Sequence, residues 1–291
     1  MAAGVVSALV VSGCASIDNP GVAIAPMAAA GLPSYAVGDL YVYSDGYIEE
    51  VLGTSGDRVQ WALGHGGVVA DKKVDFTHPA LHWSHAGVDY GFHETSVTGA
   101  LWPLRVGASV TIRGAQTAQA PEQSGQVESY DEQWRCSVPG AERLTLSAGV
   151  FDTFVVDCER RSASGAHWQH RRLNYAPNVG HYVRSIEEMR TWGQSSHLFQ
   201  QRDLALYRPH PSLDDANRIE HALRTLKSGE SDEWEGTSGS RRLQVLSSAQ
   251  DDAGHFCRSV SFSGLSDHAY VAQLCHIGGR WVHQNVVLQP R

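Results

Sequence analysis

Hydrophobic and polar positions alternate along much of this chain with a period of two, the mark of strands that bury one face. The clearest run is residues 151–158, where Phe154, Val156 and Cys158 fall on one side, as Trp134, Cys136 and Val138 do upstream. Residues 35–43, 47–52 and 58–63 are apolar stretches broken at Ser44-Asp45-Gly46 and Thr54-Ser55-Gly56-Asp57, turn chemistry that predicts a meander. Leu101-Trp102-Pro103-Leu104 reads as an aromatic corner feeding a strand over 108–113, because Pro103 cannot sit in mid-ladder. A solvated loop or hairpin tip is expected over 114–125. Val138-Pro139-Gly140, Ser147-Ala148-Gly149 and residues 175–180 predict three tight turns, the last leading into a strand at 181–184.

A helical period follows. Ser212 is placed as an N-cap with Asp215 in the capping-box position, and Leu213, Ala216, Ile219, Ala222, Leu223 and Leu226 mark one face before Gly229. Short strands resume after it. Residues 15–34, with Pro20, Pro26 and Pro33 and no amphipathic period, read as a flexible tether. Residues 190–211 are polar, close in Pro209-His210-Pro211, and read as a linker. The expected fold is mainly β: an antiparallel sheet domain over 35–189, barrel or sandwich-like, then a small α+β domain over 212–291.

Composition supports strands and turns: 29 Gly, 10 Tyr and 8 Trp stand against 3 Met. The formal charge of -8, with no Lys/Arg cluster longer than a pair, argues against nucleic acid, whose phosphates require a concentrated basic face. Val5 to Val11 is apolar and uncharged, and Val11-Ser12-Gly13-Cys14 follows. This resembles the bacterial lipobox. The resemblance implies a lipoprotein signal over 1–14, acylation of Cys14, and a membrane partner reached through the lipid anchor. Ala15 rather than Asp after that cysteine implies the outer membrane, facing the periplasm or the surface. The apolar run is too short to span a bilayer as a helix.

Five cysteines then become one anchor plus four, enough for two bridges in an oxidising compartment. Of three pairings, Cys136 with Cys158 and Cys257 with Cys275 are favoured because each falls inside one unit; each contributes about 3 kcal/mol in the chain-entropy picture. A strand at 142–146 between the first two cysteines would hold them too far apart to bond. Buried free thiols are the alternative, and no Cys-x-x-Cys spacing suggests zinc.

Leu101-Trp102-Pro103-Leu104, Ala148-Gly-Val-Phe-Asp-Thr153 and Tyr175-Ala-Pro-Asn-Val-Gly-His-Tyr-Val-Arg184 are similar to motifs of uncharacterised proteobacterial envelope proteins of β fold, over roughly residues 35–185. Ala222-Leu223, Gly229, Trp234, Gly239, Gly254-His-Phe-Cys-Arg258 and residues 275–281 resemble the C-terminal domain of the common surface antigen lipoproteins of the seventeen-kilodalton family. Neither likeness implies a catalytic residue.

The sharpest chemical constellation is His78, His82, His85 and His93, with His65 before them and Glu94 beside the last. Imidazoles and a carboxylate are transition-metal ligands. Spacing of this kind shares one face only on a helix, which Pro79 opposes. No Gly-x-Ser-x-Gly elbow, phosphate loop or dinucleotide fingerprint occurs. Trp61, Trp83, Trp102, Trp134 and Trp168 suit a sheet core or an aromatic groove for lipid or glycan. The expectation is therefore a lipid-anchored, non-enzymatic envelope protein with a structural or binding role, without cofactor, whose partner is an envelope protein, a lipid or a glycan. The alternatives are a metal-dependent periplasmic enzyme using the His78–His93 segment and a carrier of an apolar ligand within the β domain.

Overall fold

A computed structural model describes residues 19–64, 68–85, 87–120, 127–164, 167–191, 197–236 and 239–289; Cys14 and His65 lie outside them. A short strand β1 (Val22–Ala23) precedes twelve long ones: β2 (Leu40–Tyr43), β3 (Ile48–Ser55), β4 (Arg58–Gly64), β5 (Val68–Lys73), β6 (His82–His85), β7 (Val88–Ala100), β8 (Ser109–Gln119), β9 (Glu128–Leu146), β10 (Gly149–Ser162), β11 (His167–Ala176), β12 (His181–Thr191) and β13 (His197–Arg208). From β2 onward each strand pairs antiparallel with its successor, and β13 pairs back onto β2. The sheet is a closed up-and-down barrel, which leaves no free edge. Most of the expected 190–211 linker is thus the closing strand. Its pattern misleads because a bulge between Leu204 and Leu206 sends two near neighbours to opposite faces, Leu204 into the lumen core and Leu206 outward. The expected loop at 114–125 is likewise strand as far as Gln119.

Side chains alone fill an eight-stranded barrel, and twelve strands enclose a wider space. Here aromatic residues and an inserted loop, 74–81, fill most of it. Phe76, Thr77 and His78 are buried, and Phe76 stacks on Tyr175 at 5.3 Å and meets Trp102 edge-on at 5.7 Å. This loop enters from the lower end, which also carries the 147–148 and 177–180 connections; the upper end carries that at 44–47. Leu101 and Leu104 lie fully buried among the connections of the lower end. Trp134, Cys136 and Val138, with Phe154, Val156 and Cys158, all face the core, as their alternation predicts. On the outer wall stand exposed ion pairs, Arg143 with Asp152 and Arg161 with Glu159.

Strand β9 changes role along its length. Residues 128–137 pair with β8, but the ladder stops at Ser137, and Pro139 sits where β9 has lost that neighbour. Proline lacks a donor and is tolerated at such an edge; the turn expected at 138–140 does not form, and β9 runs straight through to Leu146. No separate strand therefore intervenes between the cysteines. Cys136 and Cys158 are direct partners on β9 and β10 and are bridged. The bared stretch of β9 is covered by β1, with Val22 opposite Arg143 and Ile24 donating to the Ala141 carbonyl at 3.0 Å. Ala30 and Leu104 exchange backbone hydrogen bonds, and Arg184 donates to the Asn19 carbonyl at 2.8 Å. From Asn19 on, the expected flexible tether is folded onto the barrel, because its backbone satisfies an otherwise unpaired edge.

After Ser212, whose Oγ accepts from Asp215 N at 3.1 Å, comes α1 (Leu213–Thr225), then a meander of β14 (Ser231–Gly236), β15 (Gly239–Gln250), β16 (Phe256–Ser263), β17 (Tyr270–Ile277) and β18 (Arg280–Leu288). Cys257 and Cys275 are register partners and are bridged. Ala222 and Leu223 face inward as expected, but Leu213 is 76% exposed, and Asp215 turns inward to accept from Trp234 Nε1 at 2.6 Å. The core of this unit is not its own. Leu40, Val42, Ile48 and Leu206 on the barrel's outer wall pack with Trp234, Leu243, Val260 and Phe262. At the same junction Glu50 accepts from the His283 backbone at 3.1 Å, with the imidazole Nδ1 also 3.1 Å from its carboxylate.

Candidate functional site

A cavity of about 170 Å³ remains inside the upper half of the barrel, roofed from below by the 76–80 loop and walled by β5 to β11. Its lining carries three cations, Lys72, Arg160 and Arg171, against one carboxylate, Glu132, in a protein whose formal charge is -8. Each is placed by strand alternation. Arg160 continues the inward series of Phe154, Val156 and Cys158, Arg171 shares a face with Leu173 and Tyr175, and Glu132 precedes Trp134 and Cys136.

The three cations differ in how well they are matched. Arg160 forks onto Glu132, with Nε donating to Oε2 at 2.9 Å and Nη2 to Oε1, and Nη2 also reaches Gln116 Oε1. Trp134 Nε1 donates to the same carboxylate at 3.3 Å and presents its ring to the guanidinium at 5.5 Å. That group is closed on itself. Lys72 has Glu49 Oε1 at 3.8 Å and the Trp61 ring at 5.8 Å, with Glu187, the cross-strand partner of Arg171, as a second carboxylate acting on it. Burial lowers its pKa, Glu49 and Glu187 raise it, and Arg171 nearby lowers it. Arg171, which faces Glu187 across the β11–β12 ladder, has its Nε buried without a hydrogen-bond partner.

Below the cavity lies a fully buried relay. Glu49 accepts from Tyr182 Oη at 2.5 Å and sits 2.7 Å from His181 Nε2, whose Nδ1 is 2.9 Å from the Tyr35 hydroxyl. Burial opposes ionisation of Glu49, but Lys72, His181 and Tyr182 outweigh it and pull the carboxyl down to about 2. Burial lowers the pKa of His181, against the pull of Glu49. A neutral ring with Nε2–H donating to Glu49 and Nδ1 accepting from Tyr35 fits these contacts.

The structure does not gather the four histidines. His78 is buried at the cavity wall, its Nδ1 2.7 Å from the Pro79 carbonyl and its Nε2 2.7 Å from Glu94, which also accepts from Lys73 at 2.8 Å. His82 and His85 lie exposed on β6 and His93 exposed on β7. Among the described residues, the one grouping of three ligand atoms within reach of a common ion is Asp251, Cys257 and Cys275, whose sulfurs are already bonded to each other. Of the tryptophans, Trp83 and Trp134 line the cavity and Trp61 and Trp102 belong to the lumen packing beneath it. The cationic residues were absent from the sequence-based candidates, although a charge at an inward position of an alternating strand is the signal that finds them.

No family model matches the chain, so neither family resemblance drawn from the motifs is matched by one. No curated protein matches either. Among solved structures, the chain is similar to the hypothetical lipoprotein YmcC from Escherichia coli, with a TM-score of 0.35 and 12% identity, over 60% of this chain and 84% of that one.

Proposed function

We propose that this protein is a lipid-anchored, non-enzymatic binding protein of the bacterial cell envelope that holds a small anion in the lumen of its barrel. The observation that carries the reading is the pairing of a cavity in the barrel lumen with an Arg171 guanidinium whose buried Nε has no partner. A buried donor without an acceptor costs about 1–3 kcal/mol, more when charged, and an anion supplied from outside removes that cost. Lys72 adds a second cation to the wall of the same cavity. The metal-dependent alternative is disfavoured because His78 already spends both ring nitrogens on Pro79 and Glu94, while His82, His85 and His93 lie exposed.

Calorimetric titration of the purified protein with acetate, benzoate and inorganic phosphate tests the lumen. At least one should bind, and Arg171→Met should weaken it by about tenfold or more, the loss of one charge-assisted pair. Failure of all three to bind would overturn the reading. The anchor rests on Cys14: Cys14→Ser should release the protein from the membrane fraction, and a variant that still sediments with membranes would overturn that half.

A further inference from the structure

We infer that the ligand of the lumen site is a monocarboxylate carried on a single apolar ring, with the carboxylate between Arg171 and Lys72 and the ring against Trp83 and Phe92. The inference rests on the anion-binding reading above and goes on to name the class. A guanidinium presents paired donors that match a planar carboxylate bidentately, and Arg171 is the guanidinium in this cavity whose fork is not already taken by Glu132. The other polar groups of the wall are committed elsewhere. Gln116 and Glu132 serve Arg160, and His78 is held by Glu94 and the Pro79 carbonyl. A ligand rich in hydroxyls would therefore bury donors and acceptors without partners, a cost of a few kcal/mol per group.

What is left of the wall is apolar: Phe76, Pro79, Ala80, Trp83, Phe92 and Trp134. Trp83 is held flat by Tyr90, with ring centroids 4.9 Å apart and planes within 7°, so it offers a fixed surface. Size decides the rest. A cavity of about 150 Å³ accommodates benzene, and this one measures about 170 Å³. One ring fills that space. Lys72 and Arg160 keep 21% and 18% of their side-chain surface free of protein contacts, so both can meet a ligand in the cavity they line.

Calorimetry with benzoate, cyclohexanecarboxylate, acetate, benzyl alcohol, glucuronate and inorganic phosphate separates the possibilities. Benzoate and cyclohexanecarboxylate should bind about tenfold or more tighter than acetate, because they bury a ring, and by a similar factor tighter than benzyl alcohol, which lacks the charge. Arg171→Gln should bring benzoate to the level of benzyl alcohol, while Trp83→Ala should weaken benzoate and leave acetate unchanged. Arg171→Lys, which keeps the charge without the fork, guards against a folding defect and should retain intermediate affinity. Acetate or phosphate binding as well as benzoate would overturn the ring while leaving the anion-binding reading intact. Glucuronate binding tighter than benzoate would overturn the apolar character. Absence of binding by every anion would overturn both.

Discussion

Glu49 and His181 are polar residues at the centre of an aromatic core, and their burial makes them sensitive to acid. Both have pKa values below their ordinary ones, so each contributes stability that is present above its unfolded pKa and is lost as pH falls. For His181 the loss begins below about pH 6.5, and for Glu49 it runs from about pH 4.5 towards 2. For Glu49 the linked free energy is on the order of 3 kcal/mol. The wild type should therefore lose thermal midpoint steadily between pH 6.5 and 3, and Glu49→Gln should flatten the lower part of that limb while lowering the midpoint at pH 7. Midpoints measured across that range check both. An unaltered acid limb in the variant would show that Glu49 is not the titrating group. None of this relay was legible in the sequence, because Tyr35, Glu49 and His181 are brought together only by barrel closure, across separations of more than a hundred residues.

At the scale of elements, alternation located β2, β3, β4, β8, β9, β10 and β12, a helical period located α1, and assigning each cysteine pair to one unit gave the two pairs that are bridged. Alternation failed where one strand serves two faces or two neighbours. The bulge in β13 hid a barrel strand inside a polar stretch, and the loss of β8 at Ser137 made Pro139 look like a turn. The segment before Tyr35 looked unstructured because its order comes from backbone pairing to β9, which leaves no periodic side-chain pattern. Ile24→Pro would remove the hydrogen bond to Ala141. Amide exchange at 141–143 should then accelerate while 128–137, still paired to β8, keeps its protection. Equal acceleration in both stretches would mean that β1 supports the whole barrel and not the edge alone. The cationic lumen could be found by the same alternation once Arg160 and Arg171 are counted on the inward series.

The whole molecule should unfold as one unit. Leu40, Val42, Ile48 and Leu206 belong to barrel strands yet pack with the five-stranded sheet, so neither part keeps a complete core without the other. A chain ending at Pro211 would bare those four residues to water, and removing the His283 side chain would take from buried Glu50 the imidazole that lies 3.1 Å from its carboxylate. A single calorimetric transition is expected, moved as a whole to lower temperature by His283→Ala. Two transitions, with only one displaced by that variant, would show the parts to be independent. The docking of the N-terminal segment at the lower end also sets how the molecule would stand on a membrane. The chain from Cys14 to Asn19 can reach at most about 18 Å, and Asn19 is tied beside the lower rim through Thr145 and Arg184. With Cys14 in lipid, so short a leash holds the plugged lower rim towards the bilayer and turns the cavity-bearing half outward, so that a ligand would arrive from the aqueous side and not from among the lipids.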